Sequence, residues 1–217
     1  FAASSLAMSY YMNPGAYEKA NCEGHFREVL KKTCDYLMKT TYLDNSGNVY
    51  AVCATVANSA DHDVTWEPPE KQTYDRPTYW LTASYNNSVT TATMASALAG
   101  TAYVFKDVDA EYSAKCMKYS KALYDFAKKY PDMQDTTSGL YRLTDTYIDD
   151  LALAEVWFYI NGEGSLPTYK PTANGCYNGQ YYDYHLYCWD KVWSGYATLM
   201  YYITCLLYTS DAADDKA

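Results

Sequence analysis

Residues 88–107 read SVTTATMASALAGTAYVFKD, a run of small and apolar residues that predicts a helix over 89–105 with Ser88 as its N-cap. Between Ala95 and Thr101 every side chain but Leu98 is small, so another backbone has room to approach closely there. Downstream, Asp107 and Asp109 favour the start of a helix over 110–129, through their side-chain oxygens and their charge near its N-terminus. Tyr130-Pro131 ends it.

Further out the same punctuation recurs. Residues 147–160 predict a helix closed by Asn161-Gly162 in a left-handed C-cap, and 189–206 resume a helical apolar pattern. Upstream, FAASSLAMSYYM (1–12) is helical in composition and Asn13-Pro14-Gly15 stops it. Phe26, Val29, Leu30, Cys34, Leu37 and Met38 form one stripe of a helix over 17–41. Asp44-Asn45-Ser46-Gly47 is a turn, and Val49–Val56 a short strand or extended segment. Residues 164–184, with Pro167, Pro171, Gly175 and Gly179, form a long surface connection. Helices joined alternately by short and long loops suggest paired helices around a common axis.

Between these segments lies DHDVTWEPPEKQTYDRPTYW, residues 61–80, too polar for a core and too aromatic for a solvated linker. Aromatic rings stack on the apolar faces of sugars while carboxylates, Arg and His bond the hydroxyls, so the mixture suits a carbohydrate-binding loop. It also suits a structural connection whose aromatics plug helix ends.

Asp61-His62, Trp66, Glu67-Pro68-Pro69-Glu70 and Arg76-Pro77, followed by residues 88–107, 112–130, 147–159 and Trp189-Asp190-Lys191, resemble the glycoside hydrolase family nine endoglucanases. The resemblance implies an all-α fold, part of a six-hairpin (α/α)6 barrel, over residues 1–204. It implies an extracellular or cell-surface enzyme acting on cellulose or a related β-glucan by single displacement. Residues 205–217, CLLYTSDAADDKA, break character and resemble translated adaptor read-through, so they are set aside as a non-native tail.

Composition agrees with a globular protein: of 217 residues 49% are hydrophobic and 20% charged. A net charge of -9 disfavours a nucleic-acid surface, which needs clustered Lys and Arg, and is compatible with a neutral polysaccharide. The 27 Tyr point the same way. No apolar run is long enough to span a membrane, and a signal peptide is not observable. The seven Cys lack the close spacing of a zinc site and read as buried thiols, with a Cys176–Cys188 bridge open to a secreted protein.

Inverting hydrolysis needs an acid and a base held ~6.5 to 9.5 Å apart. In the resembled family the base comes from an Asp-Ala-Gly-Asp motif and the acid from a Glu after a His-rich motif. Neither motif occurs here, so no catalytic residue is assigned and the piece is expected to be inactive alone. Asp61, Asp63, Glu67 and Glu70 are read as loop carboxylates. His62 and Trp66 match cleft residues of the family, though spaced by four residues where the family uses three. Tyr141 matches a platform aromatic whose companion position is Thr144, and His185 stands where relatives place another aromatic. Trp157 and Trp193, at helical spacing, read as packing.

The resemblance also implies a structural calcium ion on Asp145, Asp149, Asp150 and Asp190, with no organic cofactor. Alternatively these acids complement a helix N-terminus. Two other classes fit the sequence less well: a noncatalytic helical glycan-binding or scaffold protein, and a polysaccharide lyase, whose acidic substrate the net negative charge disfavours.

Overall fold

The computed structural model describes residues 1–57, 68–136, 146–169, 176–177, 180–181, 187–189 and 191–214; for 69, 176–177, 180–181 and 206–214 only the backbone is described. Its helices are α1 (Ala2–Met12), α2 (Pro14–Lys19), α3 (Glu23–Lys39), α4 (Ser88–Phe105), α5 (Ala110–Lys129), α6 (Ile148–Ile160) and α7 (Trp193–Asp214). Strands β1 (Thr41–Leu43), β2 (Val49–Val56) and β3 (Thr78–Leu81) form a three-stranded antiparallel sheet in that order, and β4 (Cys176–Tyr177) pairs with β5 (Gln180–Tyr181).

Helix α4 is the centre of the packing. Being made of small residues it is buried almost all round, and polar rungs along it fix the direction of each neighbour. Against α1, the Ser96 hydroxyl donates to Ser4 Oγ at 3.4 Å, Gly100 faces Ala7, and the Tyr103 and Tyr11 rings meet at 5.0 Å. Against α6, Thr93 meets Asp150, Gly100 meets Trp157, and Asn161 Nδ2 donates to the Ala99 carbonyl at 3.0 Å. Both neighbours therefore run parallel to α4. Helix α7 shares their direction, because the Val192 amide at its start donates to Asp149 at 2.9 Å and Tyr202 reaches the Met12 carbonyl at 3.2 Å.

Helices α5 and α3 run the other way. Hydroxyls of Ser113, Ser120 and Ser88 make rungs to the carbonyls of Ala102, Ala95 and Ala127. On α3, Glu23 accepts from Tyr10 while Cys34 lies 3.1 Å from Thr101. Parallel helices α1, α4, α6 and α7, flanked by reversed α3 and α5, are the layers of a partial (α/α)6 barrel, as expected. Trp157 and Trp193 are buried packing residues, also as expected.

Several local expectations are corrected. Asn13, at φ -151° and ψ 67°, stops α1, but Pro14 opens α2 at once, since a residue without an N–H suits the first helical turn. The helix expected over 17–41 begins only at Glu23, after Asn21 takes a left-handed φ of 53°. Of its stripe, Phe26, Leu30, Cys34 and Met38 are buried and Val29 is 39% exposed. Asn87, not Ser88, caps α4, accepting from the Thr90 amide at 2.8 Å; Ser88 instead ties α4 to α5. As expected, α6 closes at Asn161-Gly162 in a left-handed cap, with Gly162 at φ 77° and Glu163 N donating to Phe158 O at 2.8 Å. Helix α7 starts at Trp193, because Cys188 and Lys191 pair backbones across a turn, and its backbone runs past residue 205 to Asp214. Among the described residues no helix is long and apolar enough to cross a membrane.

Candidate functional site

The parallel helices put their N-termini at one end, and the chain is pinned there by side chains just ahead of each helix. Before α4, Asn86 Nδ2 donates to Tyr130 O at 2.6 Å and Asn87 Nδ2 to Gln134 O at 2.7 Å. The Gln134 and Ser88 amides answer, donating to Asn86 O and Asp132 O. Residues 131–136 are thereby held across the start of α4. Tyr85 OH donates to Asp135 O at 2.9 Å, and Thr55 on β2 donates to Thr136 at 3.5 Å. The end of β2, where the chain enters residues 58–67, thus meets the point where it enters residues 137–145. The return of that first loop is fixed by Ala57 N donating to Pro77 O at 2.7 Å.

The start of α6 is built around Asp149 and Asp150, both buried. Thr146 Oγ1 accepts from the Ile148 amide at 3.1 Å. Asp149 Oδ2 accepts from Val192 N, which docks the turn of Trp189 and Lys191 onto this helix end. Asp150 Oδ1 accepts from Thr93 Oγ1 at 2.6 Å, across to α4. Burial first, and then the neighbouring Asp149, push the Asp150 carboxyl well above the usual carboxylate range; the Thr93 hydroxyl opposes that rise. A sealed, hydrogen-bonded acid of this kind fixes helices and has no path to a sugar. Tyr187 closes the rim: its ring meets Phe1 at 4.9 Å and lies so near Gly195 that a Cβ there would come within 2.5 Å of it.

His62, Trp66, Tyr141, His185, Asp145 and Asp190 lie outside the described residues, as do Asp61, Asp63 and Glu67. The described residues that flank them, Ala57, Thr136, Thr146, Tyr187 and Trp189, belong to one end of the parallel helices. Asp149 and Asp150 are adjacent at that end, and Glu70 sits exposed on a single 3-10 turn, Pro69–Lys71. Thr93, Tyr187, Gly195 and the Asn86-Asn87 pair were not singled out from sequence. Only the Asn pair before a helical run carried a local signal for it, that of a capping cluster.

A calcium ion takes oxygen ligands, commonly 6–8 of them. Among the described residues no three His, Cys, Asp or Glu side chains converge to hold a metal. Asp149 joins the α6 and α7 ends by accepting from the Val192 amide. Asp150 is committed to Thr93, and burial disfavours its charged form.

Parallel helices α1, α4, α6 and α7, backed by reversed α3 and α5, define part of an (α/α)6 barrel. The profile of Glycosyl hydrolase family 9 matches residues 1–216, and the chain belongs to that family. Endoglucanase A of Bacillus pumilus is 29% identical over 164 residues, 74% of this chain and 24% of that protein. Endoglucanase B of Cellulomonas fimi is 31% identical over 163 residues, 73% of this chain and 15% of that one. Among solved structures, the catalytic domain of Clostridium thermocellum CelT superposes with a TM-score of 0.78 at 29% identity, over 94% of this chain and 42% of that domain. The cellulase Cel9M of C. cellulolyticum, solved with cellobiose, gives 0.78 at 24% identity over 93% and 47%, a likeness of fold. The chain spans about a quarter or less of the first two relatives, and less than half of these two solved chains.

Proposed function

We propose that this chain is part of an inverting endo-β-1,4-glucanase and forms a section of the cleft that grips cellulose or a related β-glucan. The observation that carries the reading is the convergence, at the N-terminal end of α4, α6 and α7, of the chain segments that lead into His62, Trp66, Tyr141 and His185. Family membership supplies the chemistry. In this reading His62 and His185 bond sugar hydroxyls, and Trp66 and Tyr141 offer ring faces. Calcium belongs to the same proposal, held by Asp145, Asp149 and Asp190 and serving to brace the loop ends; the Thr93 bond favours a donor set without Asp150. An extracellular or cell-surface location goes with it.

Calorimetric titration with cellohexaose tests the grip. Saturable binding is expected, and Trp66→Ala is expected to weaken it about five-fold, the loss of one stacking contact of ~1 kcal/mol. Titration without heat, or an affinity indifferent to Trp66, would count against the reading. Because neither the Asp-Ala-Gly-Asp base motif nor the His-rich acid motif occurs in these 217 residues, purified residues 1–204 are expected to release no reducing ends from soluble cello-oligosaccharides. Turnover would show that acids within this chain replace the family pair.

A further inference from the structure

The sheet carries a surface that the cleft does not use. Val49, Val52, Thr41 and Leu81 are buried on its inner side. On the other side Tyr42 of β1, Tyr50 of β2 and Trp80 of β3 stand together, at 6.1 Å between the two Tyr rings and 5.4 Å between Tyr42 and Trp80. Such pairs contribute to sheet stability, but burial is not the arrangement here: the three residues are 41%, 56% and 40% exposed. The Trp80 indole N–H donates to Thr78 Oγ1 at 2.9 Å, so its one polar group is already satisfied within the strand.

Charge narrows the occupant. The strands Thr-Tyr-Leu, Val-Tyr-Ala-Val-Cys-Ala-Thr-Val and Thr-Tyr-Trp-Leu contain no charged residue, in a chain where 20% of residues are charged. Exposed edge strands are ordinarily protected by charges, and a polyanion would need cations here. An uncharged, hydroxyl-bearing chain needs neither; it stacks its C–H faces on rings and bonds the phenol hydroxyls. Interplanar angles of 60° and 54° do not make a flat plate, so the surface suits a single twisting chain better than a crystal face. Strands β2 and β3 flank, in the chain, the connection that bears His62 and Trp66.

We propose that Tyr42, Tyr50 and Trp80 form an auxiliary binding surface for a single β-glucan chain outside the cleft. The identity of the ligand rests on the glucanase reading; the existence of the surface does not. The test is a depletion isotherm on regenerated amorphous cellulose, run for the unaltered protein, Trp66→Ala and Tyr42→Ala/Trp80→Ala, beside the cellohexaose titration. Retention should fall about twenty-five-fold in the double variant, two ring faces of ~1 kcal/mol each being lost, and survive largely in Trp66→Ala. If the double variant changes its far-UV circular dichroism, Tyr42→Leu/Trp80→Leu replaces it, keeping apolar area without ring faces.

Equal retention of the unaltered protein and the double variant overturns the proposal. So does absence of retention while cellohexaose still binds through Trp66, a result that leaves the cleft standing. Retention lost only in the double variant, with no cellohexaose binding, upholds the surface and removes the cleft. Concentration-dependent dimerisation abolished by the double variant, without cellulose retention, would overturn it in favour of a second copy of the chain.

Discussion

Trp157→Ala is expected to cost about 4 kcal/mol of folding free energy, the range for deleting a large buried aromatic. The indole is 0% exposed on α6 and lies where α1, α4 and α6 meet. Its ring centroid is 5.8 Å from Tyr11 and 6.3 Å from Tyr103, and its edge packs against Gly100. Truncation removes apolar area from all of these contacts and leaves a cavity that rigid small-residue backbones cannot close. Urea unfolding should show a lower midpoint with an unchanged m-value. Tyr201→Ala on α7, where the side chain is 70% exposed, is the control and should stay within about 0.5 kcal/mol. A Trp157 effect of similar size to the control would mean that the parallel helices do not meet as described.

Gly100→Val should cost about 3 kcal/mol by overpacking at the same crossing. A Cβ at position 100 would lie 2.8 Å from the Ala7 Cβ and 3.1 Å from Trp157 Cε2, so the α1 and α4 backbones would have to separate. Helix propensity works against this loss, since glycine within a helix is about 1 kcal/mol worse than alanine. The signature is coupling: Ala7→Gly should recover part of the Gly100→Val loss in a double-mutant cycle, although alone it weakens α1. Additive effects would contradict the close approach of α1 and α4.

That close approach is legible in residues 95–101, where small side chains on every position but Leu98 leave room for a neighbouring backbone. The start of α5 was legible too, since Asp109 accepts from the Tyr112 amide at 3.0 Å as a cap should. Strands β1 and β3 were not. Thr-Tyr-Leu and Thr-Tyr-Trp-Leu are too short to show alternation, and they become strands only because β2 lies between them. Periodicity places Trp189 in a helix, yet it belongs to the turn docked on Asp149 by the Val192 amide. The acids of α6 were visible as first-turn residues, but no local pattern reveals that Thr93 holds Asp150. Such partners are set by tertiary packing and have no signature in a window of sequence.

In the proposed reading a glucan chain is held at the N-terminal end of the parallel helices. Amide chemical-shift mapping during a cellohexaose titration tests it most directly. Perturbations are expected to gather at Ala57, Thr136, Thr146, Tyr187 and Trp189, with the opposite end at Asn13, Lys106 and Gly162 silent. Perturbations centred on that opposite end, or none at saturating sugar, would contradict it.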